Sequence, residues 1–121
     1  MSDTYNGNEI IVTIDAGQSD APVALTGRQA LVWLDTPVGF EGTSIRFFAQ
    51  SPEGLRAIRD IYGNQLTLTL GAAGSRHALW QDQTALNLAQ NQGLVLQAWN
   101  GTAAVPQTAP RDLRLWLRGI V

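Results

Sequence analysis

Apolar and polar side chains alternate with a period of two along much of this chain, most regularly through residues 43–70. This central stretch predicts three short strands, joined by tight turns at 51–54 and 62–64. In its last strand Leu66, Leu68 and Leu70 alternate with threonines, so we expect these leucines to lie in the core. The opposite face of each strand is left to solvent or to a partner.

Shorter patterns of the same kind lie on both sides of the central stretch. They occupy residues 9–15, 23–25, 28–35, 75–79, 94–99 and 111–121. About eight or nine short strands separated by turn residues predict an all-β fold with little helix. The expected architecture is a single antiparallel β-sandwich, jelly-roll-like, or a barrel. Residues 80–92 are polar with a few apolar positions, which fits a loop with one or two helical turns.

The length of 121 residues predicts one domain, residues 9–121, preceded by a polar and flexible N-terminal arm at 1–8. The start of the chain lacks the charged and apolar regions of a signal peptide. No apolar run approaches the roughly 18 residues that a membrane-spanning helix needs. We therefore expect a protein that is made and used in a cytoplasm, or released by lysis.

The charge balance disfavours two classes of partner. A net charge of −2 argues against a general nucleic-acid binder and against an anionic-membrane binder, since both need a dense basic face. All eight basic residues are arginine. This bias reflects either the base composition of the genome or the preference for arginine at contact surfaces, where it pairs with carboxylates and stacks on aromatic rings.

Few residues suggest catalysis. The chain has no cysteine, which excludes disulfides, thiolate metal sites and cysteine nucleophiles. His77 is the one histidine, and we expect it at an exposed strand position with a structural role. Asp35 and Glu41 are a conceivable glycosidase pair, but a sandwich of this size rarely supplies the deep cleft that such a pair needs. The sequence therefore predicts no catalytic residue, no cofactor and no metal.

The tryptophans divide by context. Trp33 lies in the most apolar segment, and we expect it in the core. Trp80 opens a polar loop and is the best candidate for an exposed aromatic. Trp99 and Trp116 lie on the faces of their strands that oppose the leucines. Trp80 and Trp99, together with Asn- and Gln-rich loops, keep a carbohydrate-binding module open as an alternative function.

Two strand faces mix cations with aromatic rings. One carries Arg46, Phe48 and Gln50, and the other repeats the pattern at residues 114, 116 and 118. If the two strands are neighbours, they form one contact face. If they are not, Phe48 and Trp116 form a second core layer and the loops bind partners. The predicted partner-contact residues are Arg46, Phe48, Trp80, Trp99, Arg114, Trp116 and Arg118.

The order of these segments resembles that of small tailed-bacteriophage virion structural proteins: capsid decoration, cement or fibre-like β-sandwich proteins. Five places carry the likeness over roughly residues 9–118. They are the first strand with its small-residue continuation (11–27), Asp35-Thr36-Pro37 followed by residues 42–47, the S-x-D-G-like turn at 51–54, residues 60–64 before a Thr/Leu strand, and residues 106–109 before the closing strand. The chain departs from the pattern at 80–92, where similar proteins often have a proline-led aromatic segment.

The resemblance implies a structural protein of the virion that is assembled in the host cytoplasm. The first expectation is a decoration or cement protein that binds the major capsid protein on the outer surface of the head and stabilises it. A fibre or neck adhesion component is the alternative within the same group. The resemblance also implies a homo-oligomer, with a trimer as the expected state.

Overall fold

The computed structural model describes residues 9–23, 29–60, 62–78 and 93–119, with the backbone alone at 29, 30, 118 and 119. In this part of the chain there are nine strands and no helix. The strands are β1 (Glu9–Ile14), β2 (Asp20–Pro22), β3 (Gln29–Asp35), β4 (Ser44–Ser51), β5 (Gly54–Ala57), β6 (Thr67–Thr69), β7 (Arg76–Ala78), β8 (Leu94–Trp99) and β9 (Arg111–Gly119). The predicted arm at 1–8 and the predicted loop at 80–92 lie outside the described residues.

The strands form two antiparallel sheets that pack as a sandwich. One sheet has the order β1-β9-β3-β7, and the other has the order β2-β8-β4-β5, with β6 also paired to β4. The pairing is nested: the first strand lies beside the last, the second beside the eighth, the third beside the seventh, and β4 beside β5 and β6. A long hairpin of paired strands that is rolled up gives this jelly-roll order. The predicted sandwich is confirmed, and the sheets do not close into a barrel.

The central stretch forms three strands as predicted, but the second and third both pair with the first, at its two ends. β5 pairs with residues 48–51 of β4, while β6 pairs with residues 44–46 of the same strand. Between them, residues 58–60 and 62–66 belong to a hairpin with an antiparallel bridge between Arg59 and Gln65 and a hydrogen bond from the Leu66 N–H to the Ile58 carbonyl (2.7 Å). Leu66, Leu68 and Leu70 face the core as expected, but they lie at its margin and are only partly buried.

The core lies between the two sheets and is made of alternate residues of the long strands. Its fully buried aliphatic and aromatic side chains include Ile14, Leu31, Leu34, Ile45, Phe47, Leu94, Leu96, Leu113 and Leu115. Full burial of a side chain of this size contributes about 1.5–3 kcal/mol relative to leaving it in water. With no cysteine in the chain, this packing is the main source of stability.

Trp33 is not in the core, contrary to the prediction: 38% of its surface is exposed. The register explains why. Leu31 pairs with Leu117, and Trp33 already pairs with Trp116, so β3 carries one extra residue at this point. Such a bulge breaks the strict alternation of faces. Leu31 and Leu34 therefore both enter the core although they are three residues apart, and Trp33 faces outward.

The second strand also differs from the prediction. It occupies Asp20–Pro22, between the predicted strands at 9–15 and 23–25, while residues 24 and 25 of the predicted strand lie outside the described residues. This strand lies at the edge of its sheet, where a proline can spare its missing N–H. Val23 follows the strand, is buried, and donates its N–H to the Leu94 carbonyl (2.8 Å).

Candidate partner-binding faces

The predicted contact residues lie on two opposite outer surfaces of the sandwich. Arg114 and Trp116 belong to β9 in one sheet, whereas Arg46 and Phe48 on β4 belong to the other sheet together with Trp99 on β8. The hypothesis of one contact face is therefore wrong. A second core layer is wrong as well, since Phe48 and Trp116 stay half-buried and neither belongs to the core cluster.

Two of the predicted contact residues have no described side chain. Trp80 lies outside the described residues. Arg118 is described by its backbone alone, on β9 opposite Ala30 of β3. The contact predictions for these two side chains stay predictions.

The outer surface of the sheet β1-β9-β3-β7, here called the four-stranded face, presents side chains in rows across the strands. Residues that pair across antiparallel strands share a face and lie close enough to interact. One row consists of Glu9, Trp116, Trp33 and Ala78. The next consists of Ile11, Arg114, Asp35 and Arg76. The rows place a pair of tryptophans directly above a line of alternating charges.

Asp35 organises the centre of this face. Its carboxylate accepts two hydrogen bonds from Arg76, at 2.7 and 2.9 Å, and a third from the indole N–H of Trp116 at 3.1 Å. The Arg76 guanidinium lies over the Trp116 ring, 4.9 Å from its centroid. The Arg76 hydrogen bonds, then that of Trp116, hold the pKa of Asp35 below its usual value, and Asp35 raises the pKa of Arg76. Both groups are therefore charged at neutral pH.

Two more pairs involve the described charged side chains of the four-stranded face. The Nε of Arg114 lies 3.0 Å from a carboxylate oxygen of Glu9, and the Thr13 hydroxyl donates to Asp112 at 2.7 Å. Beside these pairs, Ile11 is 54% exposed and Trp33 is 38% exposed. An open depression of about 190 Å³ lies beside Ile11 on this face. Its lining consists of Ile11, Asp35, Thr36, Pro37, Asp112 and Arg114.

The outer surface of the other sheet, here called the five-stranded face, has a different centre. The Arg46 guanidinium carbon lies 4.1 Å from the centroid of the Trp99 ring and 5.9 Å from that of Phe48. The row through Arg46 consists of Thr67, Arg46, Gln97 and Asp20. The fold thus brings together three of the predicted contact residues, Arg46, Phe48 and Trp99, as a cation stacked on aromatic rings.

A buried glutamine that the sequence analysis missed ties the loops at one end of the sandwich. Gln107 is 1% exposed, and its side-chain amide pairs with the backbone of Glu41, donating to the carbonyl at 2.7 Å and accepting from the N–H at 3.0 Å. Its own backbone N–H and carbonyl bind Gln18 and Gly17. Nothing in the local pattern distinguishes this glutamine from the others, because its partners lie far away along the chain.

The Glu41 carboxylate strengthens the same junction. It accepts hydrogen bonds from the Thr108 N–H and hydroxyl, both at 2.8 Å, and from Arg111 at 2.9 Å. The bond from the Thr108 N–H, followed by those from Arg111 and the Thr108 hydroxyl, lowers the pKa of Glu41 to about 2. The loops at this end are therefore joined by a buried amide and an ionised carboxylate.

These contacts bear on the glycosidase hypothesis. Asp35 and Glu41 are each held by their own arginine, and both have lowered pKa values. A two-carboxylate mechanism needs one carboxyl group that stays protonated as general acid, and its pKa is normally raised for that purpose. The arrangement of these two residues favours charged structural carboxylates.

His77 closes a turn. Its Nε2 accepts a hydrogen bond from the Gly71 N–H at 2.9 Å, and the residue is half-buried where an exposed position was expected. The contact agrees with the expected structural role. Within the described ranges, no group of three or more histidine, aspartate or glutamate residues lies close enough to hold a metal ion. The described residues also include no helix long and apolar enough to cross a membrane.

Comparisons with protein-family models, curated proteins and solved structures find no match to this chain. The virion resemblance therefore rests on the pattern of the sequence.

Proposed function

We propose that this protein is a non-catalytic structural module, a decoration or cement protein of a bacteriophage virion, that docks on another virion protein through its four-stranded face. The observation that carries the proposal is the exposure of Trp33 and Ile11 beside arginines that already have carboxylate partners. Tryptophan and arginine are enriched among the residues that dominate binding energy at protein interfaces.

The internal pairing makes this face suitable for burial. A charge that enters an interface without a partner costs several kcal/mol, whereas a charge that is already paired and hydrogen-bonded costs less to cover. Asp35 holds both Arg76 and Trp116, and Glu9 holds Arg114. A partner therefore meets a face that is already organised, and the ordering cost on binding is reduced.

The resemblance supplies the partner, the major capsid protein, and the expectation of a homo-oligomer, with a trimer as the proposed state. The jelly-roll order is compatible with this, since viral capsid domains use it, but lectin domains use it too. One fold supports many functions, so the function has to be inferred from the residues on the surface.

Binding to isolated heads that lack this protein tests the proposal. We expect the wild-type protein to sediment with the heads and Trp33→Ala to bind about 30-fold more weakly, as loss of a central aromatic of about 2 kcal/mol implies. The matched control is Tyr62→Ala, which removes an aromatic that is 82% exposed on the 58–66 hairpin of the other sheet. Failure of the folded wild-type protein to bind, or equal binding by both variants, would contradict the proposal.

Carbohydrate binding is the second candidate, and Trp33 now favours it more than Trp99 does. The Trp99 ring is stacked against the Arg46 guanidinium, which occupies one of its faces. Trp33 is exposed and lies on the same face as the depression. A glycan that shifts the tryptophan fluorescence of the wild-type protein but not of Trp33→Ala would favour this function. A flat response across a broad glycan array would remove it.

A further inference from the structure

The arginines of the described chain differ in what they bind. Six have described side chains, and five of these contact a carboxylate or carbonyl oxygen of the protein. The pairs are Arg56 with Glu53, Arg59 with the Gly63 carbonyl, Arg76 with Asp35, Arg111 with Glu41 and Arg114 with Glu9. Arg46 is the exception, because it makes no hydrogen bond or ion pair with any described residue.

Arg46 is nevertheless held in place. It is half-buried, and its guanidinium carbon lies over the Trp99 ring, 4.1 Å from the centroid, and 5.9 Å from the centroid of the Phe48 ring. A cation–π contact involves no hydrogen bond of the guanidinium group, which carries five N–H donors in a planar fork. A partly desolvated donor without an acceptor costs free energy, which an incoming acceptor recovers.

The residues around Arg46 indicate which kind of ligand it can bind. Thr67 and Gln97 flank it across the adjacent strands, and neither supplies a charge. Gln97 is the cross-strand partner of Arg46, and its side chain makes no hydrogen bond to the described residues. Asp20 lies beyond Gln97, two strands from Arg46, which corresponds to about 10 Å. It forms no ion pair with Arg46 in the described part of the chain.

We infer that Arg46, with Gln97 beside it, is a binding site for a carboxylate of an acidic segment in a protein partner. A single planar fork matches a single carboxylate, which accepts two parallel hydrogen bonds from a guanidinium. Asp20 at the margin disfavours the larger negative charge of a phosphate group. The site lies on the side of the sandwich opposite the four-stranded face, so it is separate from the docking surface proposed above.

A titration with a capped tetraglutamate peptide tests this site. The readout is the NMR signal of the Nε–Hε group of each arginine. We expect a saturable shift at Arg46, and about tenfold weaker binding by Arg46→Lys, because lysine keeps the charge but lacks the fork. Arg56→Lys is the matched control on the same sheet, and it should bind the peptide as the wild type does.

Two further arms make the outcome decisive. Asp20→Asn should bind the peptide about twofold more tightly, since it removes a negative charge about 10 Å away. A capped tetraglutamine peptide should give no shift at Arg46. The inference is overturned if Arg46 and Arg56 shift equally, if Arg46→Lys binds as well as the wild type while remaining folded by thermal melting, or if inorganic phosphate binds at Arg46 more tightly than the peptide.

Discussion

The two outer faces of the sandwich carry the same residue types, but their arginines have different partners. On the four-stranded face, β3 brings Asp35 beside Arg76, and β1 brings Glu9 beside Arg114. On the five-stranded face, the strands beside Arg46 bring Gln97 and Thr67. An arginine next to a tryptophan is therefore paired with a carboxylate on one face, whereas on the other it has no carboxylate partner among the described residues. The difference comes from the residues that the neighbouring strands place beside it.

Removal of Asp35 should have the largest effect on the stability of the four-stranded face. Asp35→Ala takes the acceptor from Arg76 and from the Trp116 indole N–H at once, and we expect a loss of about 1–3 kcal/mol in the free energy of unfolding. Urea denaturation measures it. Glu53→Ala is the matched control, because its ion pair with Arg56 is exposed and should contribute at most about 0.5 kcal/mol. Similar losses in the two variants would refute the central role of Asp35.

Acid should weaken the contacts of the paired carboxylates and leave the contact between Arg46 and Trp99 unchanged. The folded-state pKa of Glu41 is about 2 against an ordinary value of 4.5, and that of Asp35 is lowered from 3.8. Because both are depressed in the folded state, their stabilisation is complete above about pH 4.5 and is lost as pH falls toward 2.

Stability measured by denaturant between pH 7 and pH 2 checks this expectation. Glu41→Gln should flatten the decline, since the variant has no carboxylate to protonate, while Glu53→Gln should follow the wild type. The stacking of Arg46 on Trp99 involves no carboxylate, so Trp99 contacts should persist until global unfolding. A decline that is equally steep in Glu41→Gln and the wild type would contradict the role assigned to Glu41.

The smallest expected change in stability comes from giving Arg46 a carboxylate partner like those on the four-stranded face. Gln97→Glu places a carboxylate beside Arg46, and we expect it to add up to about 1 kcal/mol to the free energy of unfolding, as surface ion pairs do. It should also abolish binding of the tetraglutamate peptide. Gln50→Glu, at the far end of β4, is the control and should leave peptide binding nearly unchanged. Undiminished binding by Gln97→Glu would show that the peptide does not use Arg46.

Much of the fold was predictable because it depends on local periodicity. The alternation in β4, β8 and β9 identified these strands, and the faces opposite their aromatic and cationic residues carry Phe47, Leu96 and Leu115, which lie in the core. Their positions opposite the core marked Arg46, Phe48 and Trp99 as contact candidates, but the sequence did not indicate that the three lie together. The length and the absence of cysteine pointed to a single sandwich that is stabilised by packing.

The partners of each residue were not predictable, because they depend on strand register over long distances. The pairing of Asp35 with Trp116 joins residues 81 positions apart, and that of Glu41 with Gln107 joins residues 66 apart. The bulge that turns Trp33 outward appears only when β3 is aligned with β9.

The sequence by itself determined most of the segments that become strands and, outside the bulge in β3, which of their faces is apolar, since alternation is a property of neighbouring residues along the chain. The tertiary structure alone decided which charges meet across the strands. It paired Arg76 and Arg114 with carboxylates and placed Arg46 between a threonine and a glutamine, and this contrast defines the two faces.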